Sequence, residues 1–241
     1  MNDPDPNQIQ RANNGTLGAA FAVGGVLLLS IGTLLHPIGA DPNDPAAAFA
    51  EYAGDRFWIA SHLVQLAGMA AIVAALLFLT EELESKKRSA LVRIATAGAI
   101  VSLALATALQ AVDGIALKRM VDLWAATPEP LKQSVFHAAF AVRQIEIGLA
   151  SMLSLVLGFT ITLYSLAVVR DETFPNWFAG LGIAGSVPTI ISGIVIATTG
   201  FSGLAMAINM PTNFVLLLWM LALARLMWRH RAAINKTSEL H

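Results

Sequence analysis

The sequence predicts an all-α integral membrane protein, a six-helix transmembrane bundle of three hairpins that turn outside. Six long apolar segments fill most of the 241 residues, and 56% of the residues are hydrophobic. About 20 apolar residues cross a hydrocarbon core of about 30 Å as one helix. Only 13% of the residues are charged, roughly half the share that is usual in a soluble domain. The segments are too long for barrel strands, which leaves helices as the spanning structure.

The predicted helices cover about residues 17–36, 57–80, 90–116, 135–169, 177–199 and 212–229. A polar N-terminal tail over 1–16 precedes this transmembrane domain (17–229), and a cytoplasmic C-terminal tail follows over 230–241. No long linker divides the chain, so we expect one domain. We expect the first helix to be retained rather than cleaved, because Ile38-Gly39-Ala40 is a poor signal-peptidase site.

The distribution of Lys and Arg predicts the orientation. Of the 15 Lys and Arg residues, Arg143 lies inside a span and four lie on the predicted outer side, at Arg56, Lys118, Arg119 and Lys132. The rest, including Lys86-Lys87-Arg88, lie on the other side. Loops rich in Lys and Arg stay on the cytoplasmic side of the membrane. We therefore expect a plasma (inner) membrane protein with both termini cytoplasmic.

Composition also excludes several classes of function. A net charge of −1 gives no basis for nucleic acid binding. The absence of cysteine excludes disulfides, thiolate metal ligands and cysteine nucleophiles. Membrane lipid is the expected partner.

The first outer loop carries signals for a short helix. Asp44 followed by Pro45 is a favourable N-cap and first helical residue, so we predict a helix from Pro45 to about Ala53 along the membrane surface. Four aromatic residues near it are of the type found in the interfacial belt: Phe49, Tyr52, Phe57 and Trp58.

Polar and charged residues inside the spans are the main functional signal, because such groups are costly in lipid and usually face the bundle interior. A rise of about 1.5 Å per residue places five of them in one layer near the outer ends of the helices: His36, His62, Asp113, Arg143 and Glu146. Gln65 and Gln110 share helix faces with His62 and Asp113. His137 lies higher, above the hydrocarbon.

Several interpretations of this layer remain open. In a structural one, Arg143 neutralises Glu146 or Asp113, glutamines bond between helices, and His36 and His62 are hydrated at the interface. In a second, His36, His62 and Asp113 bind zinc with one position open for water, as in a metal-dependent membrane hydrolase.

In that hydrolase, Glu146 or Asp113 is the candidate catalytic residue and Arg143 holds an anionic headgroup. Two histidines on facing helices can instead hold a haem as axial ligands, which makes a redox protein. Either cofactor, zinc or haem, would be held near the outer leaflet.

The remaining interpretations need no metal. A polar, outward-facing pocket lined by Gln65, Gln110, Arg143 and Gln144 would bind a small ligand or lipid. A small transporter is a further alternative, because Pro188 removes a helical hydrogen bond in the fifth span, and breaks within spans mark many transporter sites. Six spans are few for a transporter, so the protein would then act as a homo-oligomer. In the last interpretation, the protein is an accessory subunit of a membrane complex.

Overall fold

The computed structural model describes residues 6–84, 89–171 and 174–238. Lys86, Lys87 and Arg88, which contribute to the predicted charge bias, lie outside these residues. The regular structure of the described residues is helical. The helices are α1 (Pro6–Leu35), α2 (Pro45–Gly54), α3 (Trp58–Glu84), α4 (Ala90–Gln110), α5 (Lys118–Ala126), α6 (Lys132–Val169), α7 (Asn176–Thr199) and α8 (Gly203–Ser238), with a π-helical turn over Ala111–Leu117 between α4 and α5.

Six stretches of the described residues are long and apolar enough to cross a membrane. They are Asn13–Leu35, Trp58–Leu83, Ala90–Ala126, Lys132–Val169, Asn176–Thr199 and Gly203–Arg229. The all-α class and the six spans predicted from the sequence are therefore confirmed. The protein is a multi-pass membrane protein by this criterion.

The six long helices form a closed ring in chain order. Each packs against its neighbours along the chain, in the order α1, α3, α4, α6, α7, α8, and α8 also packs against α1. The two shorter helices lie outside this ring, where α2 packs against α5 and α5 against α6. Short connections produce this order, because consecutive antiparallel helices are adjacent in space.

Three helix boundaries differ from the prediction. The third span, predicted to end near residue 116, continues through the π-helical turn and α5 to Ala126. α1 begins at Pro6 rather than near residue 17, because a helix already nucleated in the membrane extends at little cost. α8 begins at Gly203 rather than near residue 212 and extends through Pro211 to Ser238. Ser202 caps it by accepting from the Ala205 N–H at 3.3 Å.

The apolar core has two parts. The larger contains Leu76, Tyr164, Trp219 and Leu223, and lies toward the end of the bundle where α1 begins. The smaller lies at the other end and contains Ala48, Phe49, Tyr52, Trp58, Leu117, Val121 and Ala139. We call this second end, which carries residues 36–57, 111–131 and 200–202, the histidine end.

A cavity of about 310 Å³ lies at the opposite end, lined by Leu83, Ser89, Ala90, Val92, Ala167, Arg170 and Asp171. It is remote from the polar layer and from Pro188, which lies within the helical run of α7.

The short helix α2 has the predicted N-cap, Asp44, but its aromatic residues are more buried than predicted. Asp44 accepts from the N–H groups of Ala46 and Ala47 at 3.1 and 3.2 Å. Its aromatic neighbours are not an interfacial belt: Phe49, Tyr52 and Trp58 are buried, and only Phe57 of the four is exposed. The prediction for those three is wrong because the rings pack inside the protein, Phe49 against Trp124 and Phe136 and Tyr52 against Trp58.

A buried lysine of α5, Lys118, caps the C-terminal end of α2. Lys118 donates to the carbonyl oxygens of Tyr52 and Ala53 at 2.9 and 3.0 Å, and pairs with Asp122 at 2.8 Å. A cation at a helix C-terminus satisfies carbonyls that have no helical partner and offsets the helix dipole. This cap fixes α2 against α5.

Helices α1 and α3 approach unusually closely because glycines face each other. A Cβ atom added at Gly68 would lie 2.8 Å from the backbone nitrogen of Leu29 and 3.1 Å from the carbonyl oxygen of Gly25. A Cβ at Gly32 would lie 2.9 Å from the carbonyl oxygen of Ser61. Small residues allow such contacts in membrane bundles, and this one holds the end of α1 beside the start of α3.

Gly68→Ala should destabilise the bundle by about 1–3 kcal/mol, because the new methyl group meets backbone that cannot move independently. The measurement is denaturant-induced unfolding in detergent. Gly148→Ala in α6 is the matched control, since nothing lies within 4 Å of its added Cβ. Equal stabilities for the two variants would contradict the close packing of α1 and α3.

Candidate metal centre

Three side chains from three segments meet at the histidine end. His36 is the first residue after α1, His62 lies near the start of α3, and Asp113 belongs to the π-helical turn. One possible ligand atom from each lies within 4.8 Å of the others. The sequence placed these residues at one depth, and the structure also brings them together laterally.

The hydrogen bonds of His62 indicate its tautomer. Its Nδ1 atom lies 2.6 Å from the carbonyl oxygen of Trp58. A carbonyl oxygen only accepts, so Nδ1 carries the proton and donates it. The Nε2 atom lies 3.0 Å from Oδ2 of Asp113. In the neutral ring, Nε2 is an acceptor facing a carboxylate oxygen, and a proton or a metal cation between the two makes that contact favourable.

His36 has the same arrangement. Its Nδ1 atom lies 2.8 Å from the carbonyl oxygen of Pro37, which leaves Nε2 as the acceptor. Burial lowers the pKa of His36, although the Pro37 carbonyl and the charges of Asp113 and Asp55 oppose the change. The neutral form that binds metals is therefore favoured. A metal-ligating histidine commonly donates its second N–H to a carbonyl, and both rings do so here.

Trp58 forms one wall of the site. Its ring centroid lies 4.7 Å from that of His62 and 4.8 Å from that of His36. The Tyr52 ring lies 4.1 Å from it, tilted by 39°. The indole N–H donates to the backbone carbonyl of Asp113 at 3.0 Å. Trp58 therefore contacts both imidazole rings and holds the backbone of Asp113.

The π-helical turn brings Asp113 to His62. Such turns are wider than an α-helix and are frequent at functional sites. Within it, Gly114 is buried against His62, and a Cβ atom there would lie 2.5 Å from the His62 Cβ. Only a residue without a side chain permits this approach of the turn to α3.

The site has more acceptors than donors. Of the residues that the structure describes, five have a buried side-chain oxygen without a hydrogen-bond partner. Asp113 Oδ1 is one, and Gln110 Oε1 lies one helical turn before it. Asp55 Oδ2, in the link between α2 and α3, is a third. Buried acceptors normally have partners, so the free oxygen of Asp113 is available to a cation held by the cluster.

Arg143 and Glu146 form a separate buried pair beside the site. The Arg143 Nη1 atom lies 2.9 and 2.8 Å from the two carboxylate oxygens, and the side chains are 6% and 3% exposed. Arg143 Nη2 donates to the carbonyl of Pro42 at 3.3 Å. The guanidinium lies between the rings of Tyr52 and Phe201, at 5.6 and 5.0 Å. Arg143 thus attaches the loop after His36 to α6.

The other predicted residues have different surroundings. Gln110 donates to Gln65 at 3.3 Å, the inter-helix bond that the structural interpretation expects. Gln144 is exposed on α6, apart from the three clustered residues. His137 is exposed and contacts Gln133 at 3.1 Å.

Sequence reasoning missed the role of Trp58. Trp58 precedes His62 by one helical turn, a spacing that places the two side chains on one face. That spacing was the available signal for Trp58.

Comparison of the chain with protein-family models, with curated proteins and with solved structures finds no match. The site is therefore interpreted from its own geometry.

Arg143→Met should destabilise the protein by about 3–5 kcal/mol, because it leaves Glu146 buried without a counter-charge. The double variant Arg143→Met/Glu146→Leu should recover much of this loss, since it removes both charges. Unfolding in detergent of the wild type, both single variants and the double variant gives the coupling. Additive losses would contradict a direct pair.

Stability should fall between about pH 10 and 12 because of Tyr52. Burial raises its pKa from 10.0 to about 12, with Arg143 opposing and Glu146 and Asp113 adding to the rise. The unfolded state therefore loses the proton first, and about 2–3 kcal/mol of stability present below pH 10 disappears as the pH approaches 12. Unfolding at several pH values measures this.

Tyr52→Phe should remove that part of the pH dependence. The protein has two tyrosines, so Tyr164 remains as an internal reference. An identical decline in the variant would show that Tyr52 does not cause it.

Proposed function

We propose that this multi-pass membrane protein binds one divalent transition-metal ion, zinc in the first instance, through His36, His62 and Asp113. The observation that carries the proposal is the convergence of their ligand atoms within 4.8 Å. The acceptor-rich surroundings and the two Nδ1–carbonyl contacts support it. We further propose that the histidine end faces outside the plasma membrane, with both termini cytoplasmic, as the charge bias predicts.

The donor set favours a transition metal over calcium or magnesium. Two imidazole nitrogens and one carboxylate suit zinc or iron(II), whereas calcium and magnesium prefer oxygen ligands. Atoms bound to zinc at about 2.0–2.1 Å in a tetrahedron lie about 3.3 Å apart. The 3.0 Å separation between His62 and Asp113 is close to that value, whereas separations within the cluster extend to 4.8 Å, so His36 would move inward by about 1–2 Å on binding.

The packing supports an ion better than a haem. A haem between two axial histidines needs space for the whole macrocycle between their rings. The ring centroids of His36 and His62 are 5.1 Å apart, and Trp58 contacts both. Asp113 also occupies the Nε2 side of His62.

Metal analysis of the purified protein tests this function. We expect about one equivalent of zinc or iron after desalting, and a loss of at least tenfold in affinity for His62→Ala and for Asp113→Asn. His137→Ala is the matched control, because that histidine is exposed on α6. Its metal content should equal that of the wild type.

Two outcomes would contradict the proposal. One is a stable, metal-free protein that takes up no zinc after incubation. The other is equal metal loss in His62→Ala and His137→Ala. A Soret band in the visible spectrum would instead support the haem alternative.

A further inference from the structure

His36 is the member of the proposed ligand set whose position depends on a loop. His62 lies in α3 and Asp113 in the π-helical turn, whereas His36 follows the last residue of α1. Its backbone N–H donates to the carbonyl oxygen of Thr33 at 3.2 Å, where α1 ends. Residues 37–44 then cross to α2 without helix or strand. The contacts of this loop therefore help to decide where the His36 ring lies.

The His36 ring is joined to the backbone of the loop. Its Nδ1 atom lies 2.8 Å from the carbonyl oxygen of Pro37, and the ring N–H donates to that oxygen. The pyrrolidine ring of Pro37 fixes its φ angle near about −65°, which removes one rotation from the chain between His36 and Ile38. A displacement of the loop just after Pro37 is therefore passed on to the imidazole.

Glu51 of α2 makes the attachment of the loop that lies nearest to His36. Its Oε1 atom accepts from the Gly39 N–H at 2.8 Å, and its Oε2 atom accepts from the Ala40 N–H at 3.0 Å. Hydrogen bonds to an ionised acceptor are roughly twice as strong as those between neutral groups. We call these two hydrogen bonds the Glu51 clamp. The attachments to α6 and to the link between α7 and α8 lie farther along the loop, at residues 42–43.

The clamp depends on glycine at position 39. A Cβ atom added at Gly39 would lie 2.7 Å from Oε1 of Glu51. Because that atom is the end of a flexible side chain, an alanine at this position would displace the carboxylate and leave the backbone in place. Position 39 therefore offers a second way to break the clamp, with Glu51 itself retained.

Helix α2 is a fixed support for the clamp. Lys118 of α5 donates to the carbonyl oxygens of Tyr52 and Ala53, the two residues that follow Glu51. Tyr52 is buried, and its ring lies 4.1 Å from that of Trp58, the wall of the metal site. Consecutive residues of α2 thus reach the metal site by two routes, one through the loop and one through Trp58.

We infer that Glu51 is a positioning residue of the metal site, which holds His36 within reach of His62 and Asp113 and thereby sets the metal affinity. The inference rests on the metal site proposed above. Glu51 acts through the loop backbone rather than as a ligand. Without the clamp the loop takes up more conformations, so metal binding has to order it at an entropic cost. Residues that orient metal ligands contribute about 10–100-fold to metal affinity.

The test uses the full chain in detergent, stripped with a chelator and titrated with zinc alone in competition with a chromophoric chelator. Glu51→Gln should weaken zinc binding by about tenfold. Its amide keeps one acceptor oxygen but places an NH₂ group against the second backbone N–H. Gly39→Ala should weaken binding to a similar extent, because it displaces the carboxylate.

Gly54→Ala and Glu129→Gln are the matched controls. Nothing lies within 4 Å of a Cβ atom added at Gly54, at the end of α2. Glu129 is exposed in the link between α5 and α6, and its change to glutamine removes the same charge as Glu51→Gln. Both controls should bind zinc with the affinity of the wild type.

A double-variant cycle separates positioning of His36 from a general effect on the fold. His36→Ala retains the two ligands His62 and Asp113 and should bind zinc at least tenfold more weakly than the wild type. If Glu51 acts through His36, adding Glu51→Gln to His36→Ala should weaken the residual zinc binding no further.

The other outcomes overturn different parts of the argument. A wild type that binds no zinc overturns the metal site itself. Wild-type affinity in Glu51→Gln or in Gly39→Ala overturns the positioning role and leaves the metal site in place. A further tenfold loss in the His36→Ala background, or an equal loss in Gly54→Ala, also overturns that role. If Glu51→Gln fails to fold, Gly39→Ala compared with Gly54→Ala decides by the same criteria.

Discussion

The contact between His62 and Asp113 is the interaction on which the histidine end depends. A carboxylate and an imidazole lie 3.0 Å apart, with side-chain exposures of 16% and 2%. Such groups are stable at this depth only when each has a counter-charge, a proton or a cation. The π-helical turn, the missing side chain at Gly114 and the indole of Trp58 all serve to make this contact possible.

The polar layer lies between two apolar clusters, and this arrangement explains its isolation. The larger cluster fills the bundle toward the start of α1, while α2 and α5 cover the other side with aromatic rings. Arg143 attaches the loop after His36 to α6, and Glu51 accepts from the Gly39 and Ala40 N–H groups, so this loop is held at several points. Low dielectric on both sides strengthens each electrostatic interaction in the layer.

Prediction from the sequence succeeded where the constant geometry of helices was enough. Counting residues along spans placed His36, His62 and Asp113 at one depth, because helical rise varies little. It did not place Phe49, Tyr52 and Trp58, because their burial depends on how α2 packs on α5 and α3 on its neighbours. It left open whether Arg143 pairs with Glu146 or with Asp113, because depth alone says nothing about lateral position, and the structure shows the pair with Glu146.

The sequence by itself determined the class of the protein, the six spans, the cap of α2 and the depth of the polar residues. These follow from apolar length, local capping chemistry and helical rise, all of which are properties of short segments. Only the tertiary structure decided which polar groups meet. That outcome depends on the order of helices around the ring, on the glycine contacts between α1 and α3, and on the π-helical turn that redirects Asp113. Each is a relation between segments distant in sequence, which no local pattern contains.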